Sequence, residues 1–190
     1  CDWYLELSKP VLYSDDSSEA ALRGTRRTLV RVLETLLRLT HPIMPFLTEE
    51  IWQRVAPLAG KTLVEGESSL MLEPFPTADE SKIDTHASSE MEWVKAFVLG
   101  IRSIRGEMDI APGKPLAILV QDASAQDQTR LNEHRATLNS LARLESVEVL
   151  TADTTAPESA TALVGSMKIL IPMAGLIDKD AELQRLQKEI

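Results

Sequence analysis

The stretch HPIMPFLTEEIW, His41 to Trp52, constrains this chain more than any other. Pro42 and Pro45 cannot both sit inside one continuous helix, because each lacks an N–H and crowds the preceding turn. Ile43, Met44, Phe46 and Leu47 are too apolar for a solvated loop. The stretch therefore ends one helix and starts another. Pro42 stops the first helix and pushes His41 towards extended backbone. Pro45 suits the first turn of the second, where a missing N–H is no loss. Glu49 and Glu50 fall in its early turns, where negative charge is favourable. Phe46, Leu47, Ile51, Trp52 and Val55 make its apolar face. With Ile43 and Met44 expected to turn inward, the reading is a rigid, buried helix-to-helix corner.

Residues 18–40, ahead of the corner, carry the clearest helical pattern. Leu22, Leu29, Val32, Leu33, Leu36, Leu37 and Leu39 form an apolar stripe, with N-cap candidates at Asp16, Ser17 and Ser18. Arg23, Arg27 and Arg31 are spaced four apart, with Arg38 seven further on, so all four share the opposite face. Gly24 marks either close packing or a frayed first turn. Residues 2–13 read as a helix end that Pro10 disturbs or terminates. Residues 57–82 are irregular, rich in Pro and Gly, with SLMLEPF (69–75) expected to be extended.

A second helix is expected from Ser88 to Met108, with Met91, Trp93, Val94, Phe97, Val98, Ile101 and Ile104 inward and Arg102 and Arg105 near its C-terminus. After IAPGK the pattern changes to a strand (115–120), a polar amphipathic helix (125–144) and a short strand (146–150). Two further strands, 161–164 and 167–171, are joined tightly at Gly165-Ser166. From Asp178 a last helix begins, where Leu176, Leu183 and Ile190 lie seven apart. It is either the start of a coiled coil or an amphipathic helix folded onto the sheet. The expected class is α+β, mainly α. A helical bundle spans 1–80, a long helix with a small α+β module 81–176, and the coiled-coil start 177–190.

Composition removes several functions. The net charge of −9 argues against a free-standing nonspecific nucleic-acid binder, so any such role needs a local patch. The single cysteine, Cys1, allows no internal disulfide and suits a reducing compartment. No apolar run reaches the roughly 18 residues of a membrane span. The N-terminus has neither a secretory signal nor an initiator Met, so the chain reads as cut from a longer protein. His41, His86 and His134 have no His or Cys at metal-ligand spacing, and no catalytic constellation stands out. Gly113-Lys114 lacks the upstream glycines of a phosphate loop. The arginine stripe is either a solvated helix face or a strip that follows a phosphate backbone. Arg102 and Arg105 have the same two readings. Trp3, Trp52 and Trp93 read as core rather than as stacking platforms.

CDWYLELSKP, the Leu-rich helix and LTHPIMPFLTEEIWQRV together resemble the anticodon-binding helical bundle of class I aminoacyl-tRNA synthetases for valine, isoleucine, leucine, methionine and cysteine. RSIRGEMDIAPGKPL (102–116) and AGLIDKDAELQRLQKEI (174–190) look like the valyl-tRNA synthetase family. The resemblance covers nearly the whole chain and is weakest through 122–165. It implies a tRNA(Val) partner and a cytoplasmic, monomeric enzyme that attaches valine to tRNA with ATP and Mg. The nucleotide-binding signatures and the editing domain would lie upstream of Cys1, together with the first bundle helices. This segment would then hold no cofactor and catalyse nothing. By resemblance the DWYLE segment lines the anticodon pocket, with Leu5 touching a base or, alternatively, only packing. With the arginines read above as one of two alternatives, the candidate tRNA-binding set is Leu5, Arg23, Arg27, Arg31, Arg102 and Arg105. Two other readings stay open: the matching region of an isoleucyl enzyme, and a helical protein-interaction scaffold with no RNA role.

Overall fold

A computed structural model describes residues 2–151 and 154–174. The heptad segment 177–190 lies outside the described residues. The chain divides into two compact units, 1–83 and 84–190. No helix among the described residues is long and apolar enough to cross a membrane.

The first unit holds three α-helices: α1 (Asp2–Tyr13), α2 (Glu19–Thr40) and α3 (Pro45–Val55). Of the three cap candidates Ser18 caps α2, its Oγ accepting from the Ala21 N–H at 3.2 Å. Pro10 does not end α1, which continues to Tyr13. The proline removes one intrahelical bond, and the packing of α1 on α2 holds the helix through it. The 69–75 stretch is not extended throughout: Leu70–Leu72 form a 3₁₀ turn packed on α3, with Leu70 buried. Leu37, Trp52, Ala56 and Leu70 make the core of this unit.

The corner corrects the expectation in two ways. His41 stays helical, at φ −52° and ψ −42°, despite preceding Pro42. Its N–H still bonds the Leu37 carbonyl at 3.0 Å, and its ring Nδ1 lies 2.8 Å from Thr48 Oγ1. The Thr48 hydroxyl donates to the Met44 carbonyl at 2.7 Å, which leaves His41 Nδ1–H as the donor to Thr48. Those bonds outweigh the pre-proline preference. The chain then turns on the Thr40 carbonyl, which accepts from Ile43 and Met44. Ile43 and Phe46 consequently point outward, 82% and 91% exposed, and Met44 and Leu47 are also exposed. Thr48 and Trp52 take the inward positions. Likewise Val32, Leu33, Leu36 and Leu39 on α2 remain partly exposed, and the buried residues of that helix are Glu34 and Leu37.

The second unit opens with α4 (Thr85–Glu107), capped by Asp84. A four-stranded sheet follows in the order β2-β1-β4-β3. Its strands are β1 (Leu116–Gln121), β2 (Leu144–Val149), β3 (Ser159–Val164) and β4 (Met167–Pro172). β1 and β2 run parallel through a helical crossover, and the other pairs are antiparallel. The crossover is two helices, not one: α5 (Ala125–Glu133) and α6 (Arg135–Ala142), broken at His134. α4 packs on β3 and β4, and α6 packs on β2 and α4. Val94, Phe97, Val98 and Ile101 of α4 are fully buried, as are Ile118, Val120 and Ile169 of the sheet. The fit is tight at Gly100, where an added Cβ would meet Ala162 Cβ at 3.1 Å.

Two polar anchors tie α5 to α4. The Trp93 indole N–H donates to Asp127 Oδ1 at 2.9 Å, while Asp127 closes a capping box with Ser124. Arg130 grips Glu90 with two nitrogens, at 3.0 and 2.7 Å, and its guanidinium lies 5.7 Å from the Trp93 ring centroid.

Candidate nucleic-acid interface

Helix α2 carries Arg23, Arg27 and Arg31 on one exposed face because their spacing of four matches the helical turn. Among the described residues none of the three has an ion pair or a side-chain hydrogen bond. Arg27 and Arg31 line a groove of about 850 Å³ whose far wall is the irregular chain from Leu58 to Lys82. Lys61 and Lys82 also line it, as do Glu34 and Asp79. These two lysines lie far from the arginines in sequence, so no local pattern signals them.

The groove has a built floor. Glu34 is 4% exposed, an unusual place for a carboxylate. Its Oε1 accepts from the Trp52 indole N–H at 3.2 Å and sits 3.5 Å from Lys61 Nζ. Its Oε2 accepts from Arg38 Nε at 3.2 Å and lies 3.0 Å from Nη2. Arg38 Nη1 donates to the Pro74 carbonyl at 3.0 Å, and Lys61 also pairs with Glu73. Arg38, the fourth arginine of the stripe, thus fastens the far wall to α2. Glu34 was detectable in principle, since it lies three residues before Leu37 on the buried side of the helix.

The charges at the rim differ in their freedom. Lys82 is paired with Asp79 at 2.6 Å. Hydrogen bonds from Lys82 and Ser81 hold the Asp79 carboxyl at about 2, so it stays ionised at any working pH. Below α3, burial works to raise the Glu49 carboxyl, but hydrogen bonds from Gln53, the Leu70 N–H and Ser69 outweigh it and hold it low. Glu49 therefore organises the 3₁₀ turn, whatever its position in the first turns of α3 suggests.

Leu5 sits on α1 with 47% of its surface exposed, beside the 44% exposed Tyr4. Arg102 is exposed on α4. Arg105 corrects the expectation of a solvated or RNA-facing side chain. It is 8% exposed and donates to the carbonyls of Ala111, Ala142 and Arg143 at 3.0–3.2 Å. Burial, and then the neighbouring Arg143 charge, lower its pKa. Its donors are spent on the loop after α4. The structure thus brings Arg27 and Arg31 together on one groove, sets Arg23 one turn away, and places Leu5, Arg102 and Arg105 elsewhere.

An exposed, unneutralised cationic strip on an acidic chain fits recognition of a polyanion. Residues 1–120 match the family model of the anticodon-binding domain of tRNA ligase, and with that match spanning more than half of its length the chain belongs to this family.

Proposed function

We propose that this chain is the tRNA-binding segment of a valine–tRNA ligase, with the α2 groove seating phosphates of the tRNA and Leu5 offering an apolar contact to an anticodon base. The observation that carries the reading is the set of arginines without side-chain partners among the described residues, Arg23, Arg27 and Arg31, on a domain of the anticodon-binding family. Phosphate contacts position a protein on RNA, while unstacked loop bases specify it. A guanidinium strip with a half-exposed leucine on the neighbouring helix supplies both kinds of contact. Valine is supported by the resemblance of segments 102–116 and 174–190. In this reading the ATP-dependent chemistry and the editing activity belong to other domains of the ligase.

Filter binding to tRNA transcripts with valine and isoleucine anticodons tests it. The expected result is preference for the valine anticodon, with affinity falling steeply as salt rises. Arg27→Glu with Arg31→Glu is expected to weaken both tRNAs by at least tenfold and to reduce the salt slope by about two. Leu5→Ala is expected to erase the preference while leaving the salt slope unchanged. Equal affinity for both anticodons would remove the valine assignment and the role of Leu5. Association that ignores salt and the arginine changes would favour a protein-interaction scaffold.

A further inference from the structure

The second unit has a cationic pocket of its own, of about 670 Å³, lined by Arg102, Arg105, Asp109, Pro112, Leu141 and Arg143 among others. We propose that this pocket binds a phosphate group of RNA, with Arg143 as the contacting side chain and Arg105 as a fixed charge beside it. The choice of RNA as the carrier rests on the function proposed above. The choice of phosphate rests on the pocket alone.

Three observations converge. First, Arg105 is buried against three carbonyls and, among the described residues, has no carboxylate partner. A buried cation whose acceptors are all neutral leaves net positive charge at the pocket floor. Second, Arg143 adds another cation rather than a counter-ion: its own carbonyl accepts from Arg105 Nη2 at 3.2 Å, and its exposed side chain pairs with no carboxylate among the described residues. Among the described residues the one acidic side chain of the lining is Asp109, which is exposed. Third, Arg143 ends α6 in the left-handed region, at φ +53° and ψ +56°. Glycine is the residue that fits this cap position without strain. A large cation held there against local preference points to a use for its charge. Asp109, also on the lining, takes a left-handed φ of +50°. The apolar rim of Pro112 and Leu141 offers a surface for the sugar next to a bound phosphate.

The test uses the 190-residue chain and two probes. Inorganic phosphate is titrated against chloride at matched ionic strength, with the Arg105 and Arg143 Nε–H signals followed by NMR. The tRNA transcript with the valine anticodon is then titrated by filter binding. Arg143→Gly is the informative variant, because it relieves the left-handed strain and keeps the backbone bonds. The expected result is a saturable phosphate response that Arg143→Gly abolishes while the melting temperature holds or rises. The same variant should weaken tRNA binding three- to tenfold and lower the salt slope by about one. A phosphate response no larger than that of chloride, or one that survives Arg143→Gly, overturns the site. A phosphate response without any effect of Arg143→Gly on tRNA keeps the phosphate site and overturns RNA as its carrier. Should the unaltered chain bind no tRNA at all, the α2 reading falls, and the phosphate titration still decides the pocket.

Discussion

Replacing Glu34 by glutamine leaves an acceptor for the Trp52 indole but removes the charge that Arg38 and Lys61 share. Removing one partner of a largely buried ion pair costs more than the intact pair contributes, because the remaining charges lose their counter-ion while regaining water only in part. Glu34→Gln is therefore expected to destabilise the first unit by about 3 kcal/mol, read as a lower urea midpoint in Trp52 fluorescence. Asp127 makes the corresponding point about pH. Burial alone would raise its carboxyl, but hydrogen bonds from Ser124 and Trp93, together with the Arg130 charge, hold it below the ordinary value of 3.8. A depressed carboxylate contributes stability that is complete above the unfolded pKa and lost as pH falls through the folded one. Acid unfolding of the second unit is thus expected to begin below about pH 4. Asp127→Asn should flatten that dependence, as measured by near-UV circular dichroism.

At the level of elements, two glycines in two long helices should respond oppositely to the same change. Gly24 of α2 has nothing within 4 Å of an added Cβ, and it is exposed. Gly24→Ala is expected to stabilise by about 0.5–1 kcal/mol through helix propensity. Gly100 of α4 faces Ala162 Cβ at 3.1 Å, an atom fixed to the backbone of β3. There the strain of pushing β3 away opposes the same gain, and a net loss of about 1 kcal/mol is expected. Thermal melts of the two variants beside the unaltered chain check the pair. The contrast also shows what was legible. Periodicity located α2, α4 and all four strands to within a few residues, because one face of each meets a core. It could not tell that α5 and α6 break at His134, since a change of helix axis leaves the apolar spacing almost intact. Nor could it foresee α1 running through Pro10, where packing on α2 decides the matter.

For the molecule as a whole, each unit has its own buried core, one around Trp52 and the other around Phe97 and Ile118. Hydrogen exchange should therefore localise each defect: Glu34→Gln should speed exchange in α2 and α3, and Asp127→Asn in α4 and α5. The candidate interface was half legible on the same scale. The arginine spacing exposed the strip, since a helix surface repeats every turn. The wall opposite it was hidden, because Lys61 and Lys82 come from irregular chain whose path no periodicity encodes. Arg105 was misread because a cation near a helix end looks solvated until the following loop folds back over it. The corner was misread for a similar reason: its apolar residues promised burial, and the turn on the Thr40 carbonyl sent Ile43 and Phe46 outward.

The Glu34 network also bears on how variation in such a chain should be interpreted. If the α2 groove seats tRNA as proposed, a genetic screen for lost tRNA binding would recover changes at Glu34, Trp52 and Pro74 alongside those at Arg27 and Arg31, although the first three would never touch the ligand. Their signature would be loss for every tRNA alike, offset in part by a stabilising change such as Gly24→Ala. Loss at the arginines would resist that rescue. Suppressor genetics could thus separate the wall of the groove from its charge without a structure of the complex.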